Sequence, residues 1–161
     1  MFHVNVGEII KENKCHLEYD EQLQTHILDE DKLLDILETT LFDKPDEDCN
    51  EDDVNQGIKG NLVADYHTCE MFPERWFDLV LVLRVDTHVL YDRLEKRGYS
   101  EAKRSQNMEC EIMQVVLDEA KESYADEIVI ELKNNSIDEM DQNIERITSW
   151  FNQWIADHES S

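Results

Sequence analysis

Short β-branched apolar runs alternate with longer amphipathic segments along this chain, and that alternation leaves few folds open. Residues 2–6, 61–66, 76–85 and 127–132 read as strands, the first closed by Gly7. Between them lie helical patterns. Residues 8–13 place Ile9 and Ile10 on one side. A helix after Asp29 carries Leu33, Leu34, Ile36 and Leu37, with an acidic start suited to the helix dipole. Residues 87–97 carry Val89, Leu90 and Leu94 and stop at Gly98. Residues 100–124 read as one long helix with Met108, Ile112, Val115, Val116 and Ala120 on its apolar face. The last helix, 137–158, shows a stripe of Met140, Ile144, Ile147, Phe151, Trp154 and Ile155. Residues 16–26 are polar and irregular. Strands alternating with helices imply an α/β fold, a parallel sheet with helices on both faces.

The chain has 161 residues, enough for one domain, and its 40% apolar content with three Trp and five Phe is globular. Against 15 basic residues stand 39 acidic ones, a formal net charge of −24. That surface repels nucleic acid and anionic membranes; it suits basic partners, or a phosphate site fed by local positive charge. Seven acidic residues crowd into 42–60, around Pro45 and Cys49, where too little is apolar to pack; a mobile acidic insertion is expected there. Its spacing does not match a calcium-binding EF-hand. Cys15, Cys49, Cys69 and Cys110 form no C-x-x-C pair and read as reduced intracellular thiols. No apolar leader and no run of 18 apolar residues occurs, so neither a signal peptide nor a membrane span is expected.

Chemistry concentrates at two places. The run 61–66 breaks at Asp65, with His67 two residues on. A carboxylate at the carboxyl end of a strand in an α/β sheet borders the crevice where ligands bind. A strand-capping Asp and an ordinary loop His account for the same pattern equally well. Lys96, Arg97, Lys103 and Arg104 fall within nine positions around Gly98-Tyr99, a phosphate grip in so acidic a chain, or else a solvated helix junction. Lys11, after the first strand, offers a further positive charge. The glycines, Gly7, Gly57, Gly60 and Gly98, fit neither G-x-x-x-x-G-K-[ST] nor G-x-G-x-x-G.

Asp65-Tyr66-His67, Phe72-Pro73-Glu74-Arg75-Trp76, Leu83-Arg84-Val85-Asp86-Thr87 and Val89-Leu90-Tyr91 together resemble the adenylate kinase isoenzyme 6 family of small nuclear nucleoside-monophosphate kinases. Asn5-Val6-Gly7, Ile27-Leu28-Asp29-Glu30-Asp31, Arg97-Gly98-Tyr99, Cys110-Glu111-Ile112 and the Trp-rich C-terminal helix extend the resemblance over nearly all the chain except the acidic insertion. It implies a P-loop kinase fold, a three-layer sandwich about a parallel sheet, as one domain over 1–161. The implied activity is phosphoryl transfer between ATP and AMP with Mg²⁺, and ATP hydrolysis. The implied setting is maturation of the small ribosomal subunit, in the nucleus and also the cytoplasm. A basic small-subunit ribosomal protein is the implied partner, and a monomer is expected.

Residue by residue, the resemblance makes Asp65 the holder of the magnesium shell through water. His67 would position the nucleophile or the closed state. Asn5, Gly7 and Lys11 fall in an AMP-binding arm at 5–28. Residues 96–106 match the lid, with Arg97 as its ATP-contacting arginine. Residues 134–136 lie where the family's loop approaches the adenine, although they depart in sequence. Three features depart from the family. Its opening strand, Walker A loop and first helix have no counterpart in this sequence, and Walker A amides and lysine normally hold the β- and γ-phosphates. That strand would lie between those at 61–66 and 76–85, so open strand edges are implied. Lys11 stands where an arginine is usual, keeping the charge but not the bidentate fork. The readings that follow are a clipped active kinase, a non-catalytic relative that keeps its partner surface as an acidic interaction module, or a site completed by a partner.

Overall fold

The computed structural model describes residues 2–20, 25–42 and 62–159; beyond Phe42 the acidic segment expected at 42–60 lies outside the described residues. The chain gathers into two compact units, Met1–His67 and Thr68–Ser161.

In the first unit, β1 (Phe2–Asn5) leads directly into α1 (Val6–Asn13). The strand stops at Asn5 because that residue caps the helix: its side-chain oxygen accepts the Glu8 N–H at 3.0 Å. The helix closes at Lys14, which takes a left-handed conformation (φ 52°, ψ 52°) and donates its N–H back to the last turn. Lys32 of α2 (Glu30–Phe42) reaches across to the same end, donating to the carbonyls of Asn13 and Lys14 at 2.9 and 3.2 Å. Val6, Ile10, Cys15, Leu33 and Leu37 form the buried interior of this unit. β4 (Leu62–Asp65) lies parallel to β1, with Phe2 opposite Leu62 and Asn5 opposite Asp65.

The stretch 16–26, read as irregular, contains two strands: β2 (His16–Asp20) and β3 (Thr25–Leu28) pair antiparallel, with a register shift between His16 and Tyr19. Leu17 and Ile27 are exposed. Leu17 and Tyr19 do alternate with His16, Glu18 and Asp20, but a run this short and polar does not announce a strand by itself.

The second unit begins with a loop and a single 3₁₀ turn, Glu74–Trp76, opened by Pro73. That turn delays β5 to Val80–Arg84, shorter than the run 76–85 suggests. Next come α3 (Thr87–Lys96), α4 (Glu101–Ile112), α5 (Val115–Ser123), β6 (Val129–Lys133) and α6 (Ile137–Glu159). β5 and β6 are parallel, Val80 opposite Val129 through Arg84 opposite Lys133. Val80 and Val82 alternate inward onto Leu117, Ala120 and Tyr124, with Phe77, Ile128 and Val129 packed around them. Burying each such large side chain stabilises by roughly 1.5–3 kcal/mol.

The single helix expected over 100–124 is two helices. Met113 ends α4, and Gln114 adopts φ 58° before α5 begins. A left-handed Gln interrupts the helical path, and its residue type gives no warning of it. The parallel sense inferred from the alternation holds in both pairs. Among the described strands β4 pairs only with β1, and β5 only with β6. Among the described residues, no helix is long and apolar enough to cross a membrane.

Candidate functional site

Parallel pairing brings Asn5 and Asp65 side by side at the carboxyl ends of β1 and β4. This is the end of a parallel pair where loops and helix starts collect polar groups. Asn5 is committed to its helix by the cap bond to Glu8. Gly7 serves that cap, because a Cβ there would come within 3.2 Å of the Asn5 side-chain oxygen. The two residues thus form one local device in which the small residue leaves room for the polar one.

The Asp65 carboxylate is half exposed (54%) and hydrogen-bonds to the Nε2 of His3, two positions up the neighbouring strand from Asn5. His3 escaped the sequence reading, since its partner is 62 residues away and only strand pairing joins them. His67 lies just past β4, its ring 4.1 Å from that of Tyr66 at a 56° tilt. Burial, followed by the charge of Glu30, pushes the Tyr66 phenol above its ordinary range. Lys11 sits in the last turn of α1 and is exposed. Asn5, Gly7, Lys11, Asp65 and His67 all belong to the first unit.

Arg97 belongs to the second unit, at the C-terminal cap of α3. Gly98, with φ 74°, turns the chain from α3 toward α4, a conformation in which a side chain would be strained. The four clustered cations divide into two pairs. Lys103 lies over the Tyr99 ring at 4.4 Å; Arg104 lies over the Tyr91 ring at 5.2 Å and 3.8 Å from Glu95. The Arg104 Nε is buried with no hydrogen-bond partner. Lys96, Arg97 and Lys103 are exposed, and Arg104 is half-buried.

The strongest polar arrangement of the second unit was not foreseen. Arg84, at the end of β5, donates to Glu111 Oε1 at 2.7 Å, to the Glu111 carbonyl at 3.2 Å and to Glu131 at 3.1 Å. It ties the end of α4 to both strands. Arg93 of α3 donates to the carbonyls of Asn134 and Asn135 at 2.9 and 2.8 Å, fixing the loop after β6. Lone arginines inside helix and strand patterns carry no signal of such partners.

No group of three or more His, Cys, Asp or Glu side chains gathers into a metal cluster among the described residues. A single half-exposed carboxylate at a strand end nonetheless suits magnesium, which keeps most of its water and takes one or two carboxylates beside substrate phosphates.

A family model described as an AAA domain matches residues 1–114. An adenylate kinase isoenzyme 6 homologue of Candida albicans is 49% identical over 97% of this chain, which spans 56% of that relative's length. The homologue of Dictyostelium discoideum is 43% identical over 96% of this chain and 79% of its own. That of Saccharomyces cerevisiae is 40% identical over 97% and 71% respectively.

Proposed function

Because the chain belongs to the adenylate kinase isoenzyme 6 family, nucleotide kinases and ATPases of α/β P-loop type, we propose that it carries the AMP- and magnesium-side residues of an ATP:AMP phosphotransferase. The observation that carries this reading is the register of β1 and β4, which sets Asn5, the start of the AMP arm, beside Asp65. Asp65 holds the magnesium shell through water, and His3 restrains its carboxylate. Bound magnesium neutralises charge on the transferring phosphoryl group. His67 positions the nucleophile or the closed state. Asn5 and Gly7 shape the start of α1, and Lys11 supplies a positive charge to the AMP phosphate. Arg97, exposed at the end of α3, contacts ATP from the lid at 96–106.

The 161 residues contain no G-x-x-x-x-G-K-[ST] stretch. Without those backbone amides and that lysine, the charge developing on the phosphates lacks its main stabiliser, so turnover by these residues alone is at background. AMP binding tests the part of the reading that does not depend on that loop. Calorimetry should detect AMP binding that weakens about tenfold in Lys11→Ala, the loss of one charge-assisted contact. AMP binding unchanged by that substitution refutes the assignment.

A second reading rests on the charge of −24. We propose that the chain engages a basic small-subunit ribosomal protein during maturation of that subunit, in the nucleus and cytoplasm, whether or not it turns over nucleotide. Opposite net charges favour encounter, and salt screens them. Co-purification with such a protein at moderate salt supports the reading; no association at low ionic strength refutes it.

A further inference from the structure

Lys96-Arg97-Gly98-Tyr99-Ser100, at the junction of α3 and α4, sets an arginine three positions before a hydroxyl, with a lysine just ahead of it. Charge patterns of this kind are what protein kinases use to choose an acceptor, and an arginine at that spacing is read by the arginine-directed serine/threonine class. Arginine stands three positions before Thr87 and Ser149 as well, and the structure separates these hydroxyls. Arg84, ahead of Thr87, is spent on Glu111 and Glu131. Ser149 lies inside α6, with its hydroxyl donating to the Glu145 carbonyl at 2.9 Å. Ser100 precedes its helix on extended backbone (φ −61°, ψ 156°), and both it and Arg97 are exposed. Acceptor and recognition charge are therefore open together only at Ser100.

The surroundings of Ser100 also suit the product. Its side-chain oxygen accepts the Lys103 N–H over a long 3.3 Å. Lys103 and Arg104 stand in the first turn of α4, where the helix dipole disfavours positive charge, and Glu101 is the acid of that turn. More negative charge at this end stabilises the helix, and phosphate oxygens beside arginine and lysine form charge-assisted hydrogen bonds.

We propose that Ser100 is a phosphorylation site for an arginine-directed protein kinase, and that the phosphate fastens the start of α4. In the transfer, Ser100 Oγ forms a bond to the γ-phosphorus of the kinase's ATP, and the bond from that phosphorus to the oxygen it shares with the ADP portion breaks. ADP leaves, and the hydroxyl proton passes to the kinase's catalytic carboxylate. Arg97 serves before the step, as the charge by which the kinase recognises the segment. Afterwards the phosphate takes over the Lys103 N–H, offsets the two cations of the first turn, and attracts the Lys103 ammonium. This modification does not depend on nucleotide binding by the chain itself.

The full chain is incubated with magnesium-ATP and a serine/threonine kinase that requires arginine three positions before its acceptor, and the product is mapped by tandem mass spectrometry. A single phosphate on Ser100 is expected, absent from Ser100→Ala, with kcat/KM lowered about tenfold or more in Arg97→Ala, an exposed position outside the core. No phosphate, preferential phosphate on Thr87 or Ser149, or an unchanged rate in Arg97→Ala overturns the site. The phosphorylated chain is expected to melt about 2–4 °C above the untreated one. Lys103→Ala should still be phosphorylated, since Lys103 follows the acceptor, but should lose part of that rise. A melting temperature unchanged or lowered by the phosphate overturns the fastening, and a full rise in Lys103→Ala removes the role of Lys103.

Discussion

Replacing Tyr124 by Phe tests how the loop before β5 is fastened to the core. Tyr124 is 4% exposed and packs on Val80, Val82, Leu117 and Ala120, with the Phe77 ring edge-on at 6.3 Å. Its hydroxyl donates to the Cys69 carbonyl at 2.6 Å and approaches the Phe72 carbonyl at 3.2 Å. Phenylalanine keeps the ring and loses only the donor. The Cys69 carbonyl retains a second donor, the Phe72 N–H at 3.2 Å, so it is not orphaned. The expected cost is therefore that of one net hydrogen bond, roughly 1–1.5 kcal/mol. A chain of this size would melt roughly 2–6 °C lower as a result. Urea unfolding followed by tryptophan fluorescence measures the difference.

The pH dependence sharpens the same test. Burial first, then Cys69 and Glu74, push the Tyr124 hydroxyl from 10.0 up to about 12. The folded protein thus holds this proton more tightly than the unfolded chain does. The stabilisation is complete below pH 10 and is lost as pH rises toward 12. Cys69, whose thiol burial also pushes up, adds an alkaline loss common to both proteins, which cancels in the comparison. The gap in stability between native and Tyr124→Phe should shrink from pH 10 upward. A gap that stays constant or widens refutes the hydrogen-bond argument, and so does a gap of zero at pH 7.

Other substitutions probe the local structure of each unit. Asn5→Ala should cost about 1 kcal/mol through the lost cap, and Gly7→Ala should yield no net gain although Ala is favoured over Gly by about 1 kcal/mol inside a helix. With Asn5 already Ala, the Gly7→Ala gain should reappear, since the 3.2 Å encounter with the cap oxygen is gone; additive denaturation free energies contradict this. Arg84→Ala removes the charge-assisted bonds to the part-buried Glu111 and should cost roughly 1.5–3 kcal/mol, with little from the half-exposed Glu131, whereas Arg84→Lys should recover part. Equal losses for Ala and Lys in chemical denaturation place the effect in packing instead.

The sequence was most legible where one element carried its own pattern. Val80 and Val82 alternate inward as their residue types demand, and Leu33 and Leu37 face the interior of the first unit from one side of α2. Gly98 ends α3 at a backbone angle that favours glycine. Legibility failed where the cause lay elsewhere in the chain or in the backbone. The β2–β3 hairpin lies in a short and largely polar stretch, and Gln114 breaks a helix with a residue that forms helices well. At the site, Asp65 was found by its place at a strand end. His3, Arg84 and Arg93 were not, because each acquires its role from a partner 27 to 62 positions away. An AMP arm and a lid are what the sequence resemblance implies; the neighbour of Asp65 comes from strand register.

ADP formation from ATP, AMP and magnesium by the 161-residue chain tests the central claim most directly. On the proposal above, these residues, which contain no G-x-x-x-x-G-K-[ST] stretch, should form ADP at background, no faster than the Asp65→Asn variant. Robust turnover that Asp65→Asn abolishes would contradict the account, for it would show that these residues stabilise the transferring phosphate without the loop.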